Sequence, residues 1–135
     1  MRPVLRRLLM SADAVEVAAG LLGDRVERDV AIGGLTTYRV GGPAALFLRI
    51  DAEDDLAAVA RAVAGSGVPV LVVGKGSNLL VADDGFPGLA ITLGEPFSTT
   101  VIDGTEVRLG GATPLPVAAR RTVAAGLTGF EWAVG

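Results

Sequence analysis

The sequence contains neither cysteine nor histidine among its 135 residues. The absence of cysteine excludes disulfides, thiolate nucleophiles and cysteine-ligated metal centres within these residues. The absence of histidine excludes imidazole bases, Ser-His-Asp triads and histidine-ligated metals. Chemistry in this stretch therefore depends on carboxylates, hydroxyls, backbone dipoles, the single lysine or a bound cofactor, and we expect no metal site.

Positive charge and long hydrophobic runs are also scarce. Twelve Lys and Arg residues against 15 Asp and Glu residues give a formal net charge of −3. The arginines are scattered along the chain, which argues against a nucleic acid as partner. Arginines interrupt the segment Met1–Met10, and the apolar run Val68–Val73 is far shorter than the roughly 20 residues of a membrane-spanning helix. We therefore expect a cytoplasmic protein without a membrane span.

The spacing of apolar residues divides the chain into helices and strands. The predicted helices are residues 4–22, a second helix capped by Asp51 and ended at 65–67, and residues 114–125. The predicted strands are residues 36–40, 45–50, 68–73, 89–93, 99–102 and 106–109. The run 68–73 has the pattern of a strand covered on both faces, and Asp103-Gly104 predicts a type I′ hairpin turn. This order predicts an α+β or α/β fold with mixed strand pairing.

A glycine-rich loop, Gly74–Asn78 (GKGSN), follows the apolar run. Its glycines permit positive φ and close approach of a ligand, and its successive N–H groups, with the hydroxyl and amide side chains, can bind an anion. The loop is not a P-loop, because Gly76 follows Lys75 where Ser or Thr is required. It is not the dinucleotide fingerprint either, because Leu79 occupies the place of the third glycine. Considered alone, the loop is equally compatible with an ordinary tight turn.

Three motifs occur in order along the chain: Thr37–Ala44 (TYRVGGPA), Gly74–Leu80 (GKGSNLL) and Gly126–Trp132 (GLTGFEW). Together they resemble the N-terminal half of the UDP-N-acetylenolpyruvoylglucosamine reductase family, flavoenzymes of bacterial peptidoglycan synthesis. The resemblance implies an α+β FAD-binding fold of the PCMH and vanillyl-alcohol-oxidase type with two small α+β subdomains. The resemblance covers roughly residues 30–135, so it implies an FAD-binding domain at residues 31–135, and the helical spacing before it predicts an N-terminal helical extension at residues 1–30.

The resemblance further implies where the cofactor binds. FAD would be held without a covalent bond, its pyrophosphate contacting Gly74, Lys75, Gly76, Ser77, Asn78 and Leu79, and the flavin lying against Gly110, Gly111 and Ala112. Glycine is usual in the family where this chain has Ala112.

Other polar and aromatic residues admit a structural interpretation. In the family, asparagine is usual at the position of Thr36, and a structural role for Tyr38 and Arg39 is at least as good an explanation as ligand contact. The acidic residues Asp83, Asp84 and Asp103 are interpreted as turn formers rather than an acid–base pair. The aromatic residues Phe130 and Trp132 are expected in the core rather than stacked on a cofactor.

In the family, hydride passes from NADPH to FAD and then to the enolpyruvyl group of UDP-N-acetylglucosamine enolpyruvate, which becomes UDP-N-acetylmuramate. The family's proton donor and UDP-sugar domain correspond to positions beyond Gly135, so we expect no catalytic residue in this chain. The ending Phe-Glu-Trp-Ala-Val-Gly also predicts a domain truncated at its C-terminus and inactive by itself. Two alternatives stay open: another FAD-dependent oxidase or dehydrogenase of the same fold, and a non-catalytic nucleotide-binding module.

Overall fold

The computed structural model describes residues 3–134, with side chains described from residue 10 onward. Within that range the chain forms two compact units, one up to Thr92 and one from Leu93. The helices are α1 (Pro3–Leu22), α2 (Glu53–Ser66) and α3 (Leu115–Ala124). The strands are β1 (Glu27–Val30), β2 (Ala44–Ile50), β3 (Val70–Val72), β4 (Phe86–Leu93), β5 (Thr100–Asp103) and β6 (Glu106–Leu109).

The first unit is built on a four-stranded sheet with the strand order β1-β2-β4-β3. β1 pairs antiparallel with β2, and β3 pairs parallel with β4, with Val70 opposite Leu89. The predicted mixed pairing is therefore confirmed. Alternate residues of β2 are buried, whereas Leu89, Ala90 and Ile91 of β4 are all buried, as the central position of that strand requires.

The predicted boundaries of α2 are partly wrong. Asp51 does not cap the helix, because the N-cap position is Ala52 and has no side-chain hydrogen bond. The Asp51 carboxylate instead accepts hydrogen bonds from Arg49, and the Asp51 N–H donates to the carboxylate of Asp55 at 3.4 Å. The helix ends as expected at Gly67, which has φ +68° and returns its N–H to the Val63 carbonyl at 2.8 Å.

Two strand predictions near the glycine-rich loop are also wrong. Residues 36–40 form a turn instead of a strand, and the strand predicted at 68–73 is limited to Val70–Val72. β3 is an edge strand of the described sheet, and Val72 is 64 % exposed, so it is not covered on both faces. Hydrophobic runs do not distinguish a buried strand from an edge strand whose outer residues are apolar.

The second unit contains the β5–β6 hairpin, α3 and two short 3₁₀ turns, at Glu95–Phe97 and Glu131–Val134. Asp103 pairs with Glu106, so the two central turn residues are Gly104 and Thr105. Of these two, only Gly104 has positive φ (+57°), so the predicted type I′ turn on Asp103-Gly104 is wrong. α3 is followed by Gly126 at φ +76°, as its sequence predicted.

The aromatic residues at the end of the second unit contact each other. The rings of Phe130 and Trp132 meet edge to face, with centroids 5.3 Å apart. Trp132 is nevertheless 71 % exposed, so its predicted core position is wrong, whereas Phe130 is half-buried. Helices and strands occur in both units, which confirms the predicted α+β class. None of the described helices combines the length and hydrophobicity that a membrane span needs.

The position of β4 in the sheet makes a quantitative prediction. Leu89 has no exposed surface, so Leu89→Ala should lower the free energy of unfolding by about 2–5 kcal/mol through lost burial and a residual cavity. Val72→Ala, on the exposed edge strand, should cost less than about 1 kcal/mol. Urea unfolding of both variants measures the difference, and equal losses would contradict the edge position of β3.

Candidate functional site

The glycine-rich loop is anchored in the core of the first unit at both ends. Val73 and Val81 belong to one buried cluster that also includes Ile32, Ala44 and Ala90. Leu79 is partly buried and packs against the same cluster. The polar residues between these anchors, Lys75, Ser77 and Asn78, are exposed. The loop therefore presents its polar groups to solvent, while its apolar residues fix its position, so Leu79 has an anchoring role.

Gly76 lies directly against a second loop, the 33–39 turn. A Cβ on Gly76 would be 2.2 Å from the Leu35 carbonyl oxygen and 2.8 Å from the Thr36 Cα. The Gly76 carbonyl accepts a hydrogen bond from the Thr37 N–H at 3.1 Å, and Gly76 has φ +67°. Glycine is required here both by the backbone conformation and by the neighbouring chain.

The same two stretches of chain approach each other again a few residues further on. Gly42 donates its N–H to the Ala82 carbonyl at 2.8 Å, and Phe86 donates to the Pro43 carbonyl at 2.9 Å. A Cβ on Gly41 would meet the Val81 backbone at 2.4 Å, and one on Gly85 would meet the Pro43 carbonyl oxygen at 2.0 Å. The sequence suggested only a turn at Gly41-Gly42, and the paired glycines instead allow close backbone contact.

Backbone donors in the glycine-rich loop are available to a ligand. Within the described residues, none of the N–H groups of residues 74–84 makes a hydrogen bond of good geometry to a protein acceptor, although the turn over Ser77 and Asn78 directs the Leu79 N–H towards the Gly76 carbonyl. Residues 74–79 also carry three side-chain donors: the Ser77 hydroxyl, the Asn78 amide and the Lys75 ammonium. This part of the loop therefore offers both hydrogen-bond donors and positive charge. Such a set suits an anion with several oxygen atoms, such as a phosphate or pyrophosphate.

The acidic residues at the far end of the loop form a turn. Gly85 donates its N–H to the Ala82 carbonyl at 2.9 Å, which closes a β-turn around Asp83 and Asp84. The interpretation of Asp83 and Asp84 as turn residues is thus confirmed, whereas Asp103 is the last residue of β5 and only flanks the β5–β6 turn. No group of three or more ligating side chains within residues 10–134 is arranged to hold a metal ion.

The other predicted cofactor-binding residues, Gly110, Gly111 and Ala112, belong to the second unit. Gly110 donates to the Thr99 carbonyl at 2.8 Å and Ala112 to the Phe97 carbonyl at 2.9 Å. A Cβ on Gly110 would be 2.1 Å from the Phe97 carbonyl oxygen, so packing within the unit already requires glycine there. Of the three N–H groups, only that of Gly111 has no acceptor in the described part of the chain.

One buried polar atom near this segment lacks a partner. The Thr100 hydroxyl is the single buried side-chain oxygen or nitrogen without a hydrogen bond among the side chains that the structure describes. Thr100 pairs with Leu109, the residue before Gly110. Desolvation of an unpaired hydroxyl destabilises the folded state.

Replacement of that hydroxyl by a methyl group should therefore stabilise the protein. We expect Thr100→Val to raise the free energy of unfolding by about 1 kcal/mol, because valine has the same shape and favours a strand. Thr113→Val is the matched control, because the Thr113 hydroxyl does have a partner, the Thr99 carbonyl at 2.8 Å, and its loss should destabilise. Thermal unfolding compares the two, and destabilisation by Thr100→Val would show that its hydroxyl is satisfied in solution.

Comparison with known proteins places this fold and loop in a family. A family model described as "FAD binding domain" matches residues 43–135, so the chain belongs to the FAD-binding domain family. The curated relatives and the solved structure that match the chain share one enzyme name, UDP-N-acetylenolpyruvoylglucosamine reductase. The chain is a homologue of this enzyme. The resemblance seen in the sequence motifs is confirmed.

The relatives are considerably longer than this chain. The reductase of Heliobacterium modesticaldum is 47 % identical over 100 residues, covering 74 % of this chain and 32 % of its own length. That of Synechococcus sp. strain RCC307 is 37 % identical over 123 residues, covering 90 % of this chain and 39 % of its own length. The crystal structure of the Thermus caldophilus enzyme matches with a TM-score of 0.61 and 35 % identity, over 82 % of this chain and 38 % of that one. The chain thus spans about a third of the length of these relatives.

The two glycines of the loop differ in a way that can be measured. Gly76→Ala should destabilise the protein by at least about 1–2 kcal/mol, since alanine resists positive φ and its Cβ would collide with the Leu35 carbonyl. Gly74→Ala should change stability by less than about 0.5 kcal/mol, because nothing lies within 4 Å of a Cβ there. Chemical unfolding of both variants gives the comparison. A stable Gly76→Ala protein would be inconsistent with the close contact between the two loops.

Proposed function

We propose that this chain forms the FAD-binding part of a reductase that converts UDP-N-acetylglucosamine enolpyruvate to UDP-N-acetylmuramate with NADPH. The single observation that carries the proposal is the glycine-rich loop, whose free N–H donors are held on a core anchor within the residues matched by the FAD-binding family model. The name shared by the relatives supplies the substrate and the reduction, and the resemblance in the sequence motifs supplies NADPH as the reductant.

In this proposal the loop holds the pyrophosphate of FAD. The backbone N–H groups between Gly74 and Leu79 donate to the phosphate oxygens, with the side chains of Ser77 and Asn78 as further donors. Lys75 supplies a positive charge at the same place, and Gly110, Gly111 and Ala112 form a surface for the flavin. When bound, FAD would supply the hydride-transfer chemistry between NADPH and the sugar nucleotide.

The chain's own contribution is to bind and orient the cofactor. It contains no histidine or cysteine, so covalent attachment through those side chains is excluded within these 135 residues, and we propose that FAD dissociates. We assign no proton transfer to any residue of the chain. The UDP-sugar site and the proton donor belong, in this proposal, to the part of the relatives that the chain does not match. We also propose a cytoplasmic location.

Lys75 offers a direct test because it is the only lysine of the 135 residues. A lysine-specific protease cuts this sequence only between Lys75 and Gly76, in the middle of the proposed pyrophosphate site. Free FAD at ten times its dissociation constant leaves about a tenth of the protein unbound, so the cleavage rate should fall about tenfold. Mass spectrometry of the two fragments follows the reaction.

Riboflavin is the matched control ligand, because it has the flavin but lacks the pyrophosphate. It should protect the bond much less than FAD at the same concentration. Ser77→Ala should weaken the protection by FAD, since one donor is lost. Equal cleavage with and without FAD would contradict the proposed site, and equal protection by riboflavin would contradict the role of the pyrophosphate.

The substrate requires a separate measurement on the whole protein that carries this chain. NADPH oxidation should depend on added UDP-N-acetylglucosamine enolpyruvate and on FAD. A flavin-containing protein that oxidises NADPH without this sugar nucleotide would instead be another FAD-dependent oxidase or dehydrogenase. A protein that binds no flavin would be a nucleotide-binding module of another kind.

A further inference from the structure

Thr36 is a buried polar residue outside every regular element. It is only 4 % exposed, and its hydroxyl both donates and accepts a hydrogen bond. The hydroxyl donates to the Gly33 carbonyl at 2.8 Å and accepts from the Arg39 N–H at 3.2 Å. A side chain that is buried and bonded in this way fixes the backbone on both sides of it.

The backbone that Thr36 holds is strained at one end. Arg39 has φ +53°, one of two non-glycine residues with positive φ in the described chain. A left-handed conformation is uncommon for arginine and requires compensating interactions. The Arg39 N–H donates to both the carbonyl and the hydroxyl of Thr36, so the threonine stabilises the strained residue.

The residues on either side of Thr36 form the surface against which Gly76 rests. The Leu35 carbonyl and the Thr36 Cα lie where a Gly76 side chain would be, and the Thr37 N–H binds the Gly76 carbonyl. In a trans peptide unit the carbonyl and the following N–H point in opposite directions. The hydrogen bond from Thr37 therefore directs the Ser77 N–H away from residues 35–37.

We propose that Thr36 is a positioning residue for the glycine-rich loop. Its hydroxyl closes the 33–39 turn, the turn aligns the Thr37 N–H with the Gly76 carbonyl, and that bond orients the Ser77 N–H outward as a donor to an anion. The alignment of the loop follows from this structure alone, whereas the effect on FAD affinity rests on the proposed function.

The hydroxyl can be removed without changing the shape of the side chain. Thr36→Val should increase the rate of cleavage between Lys75 and Gly76, measured without FAD, by about fivefold, since the loop loses its alignment. The same variant should weaken FAD binding by a similar factor. Thr36→Ser keeps the hydroxyl and should restore both values to near those of the unchanged protein.

A control separates loop alignment from general loss of stability. Leu89→Ala removes a core side chain that is distant in sequence from Thr36. The cleavage rates of Leu89→Ala and Thr36→Val should be compared at temperatures that lie equally far below the melting point of each variant. Faster cleavage in Thr36→Val than in Leu89→Ala under these conditions supports positioning. Equal cleavage in the two variants, or equal damage from valine and serine at position 36, would overturn it.

A second pair of variants tests the next step and applies even if Thr36→Val fails to fold. Thr37→Pro removes the N–H that binds Gly76, and Thr36 already has the extended conformation, φ −105° and ψ 159°, that a residue before proline adopts. Thr37→Ala keeps the N–H. We expect faster cleavage and weaker FAD binding in the proline variant alone, and unchanged cleavage there would overturn the proposed alignment.

The two proposals fail in different ways. Faster cleavage in Thr36→Val and Thr37→Pro, together with no protection by FAD in any variant, would uphold the positioning role and reject the cofactor site. If FAD protects every variant fully and all variants are cleaved at the same rate without FAD, the cofactor site is upheld and the positioning role is rejected.

Discussion

The first unit depends on close contact between two backbone segments, residues 33–43 and 74–86. Gly76 lies on the Leu35 carbonyl, Gly41 on the Val81 backbone and Gly85 on the Pro43 carbonyl, and each contact leaves no space for a Cβ. Hydrogen bonds from Thr37 and Gly42 cross the same boundary. The absence of side chains at these points allows two irregular segments to stabilise each other, a role that side-chain packing has in most cores.

This contact fixes the backbone of the candidate site although the site lies in loops. Loops usually carry binding groups on a scaffold of regular elements. Here the core cluster fixes the ends of the glycine-rich loop at Val73 and Val81, and the neighbouring turn fixes its middle at Gly76. The N–H groups of the loop are thus positioned by the protein itself, an arrangement that would reduce the entropy lost on binding a ligand.

The sequence predicted the helices, the mixed sheet and the glycine-rich loop because each has a local pattern of spacing or composition. It did not predict that residues 36–40 form a turn, because β-branched and aromatic residues there favour a strand locally, and the contact with Gly76 decides otherwise. The exposed edge position of β3 and the exposed Trp132 depend equally on tertiary structure. The donor groups of the loop were readable from its residues, whereas the burial and hydrogen bonds of Thr36 were visible only in the structure.

The contact between Thr37 and Gly76 also has a kinetic consequence, because the two residues are about 40 positions apart in the sequence. Loop closure over that distance carries an entropic cost before the contact is made. The geometry of the glycine-rich loop therefore depends on the folding of β2, α2 and β3, which lie between the two residues in the sequence. A ligand held by these backbone groups would therefore recognise only chains in which the first unit has folded.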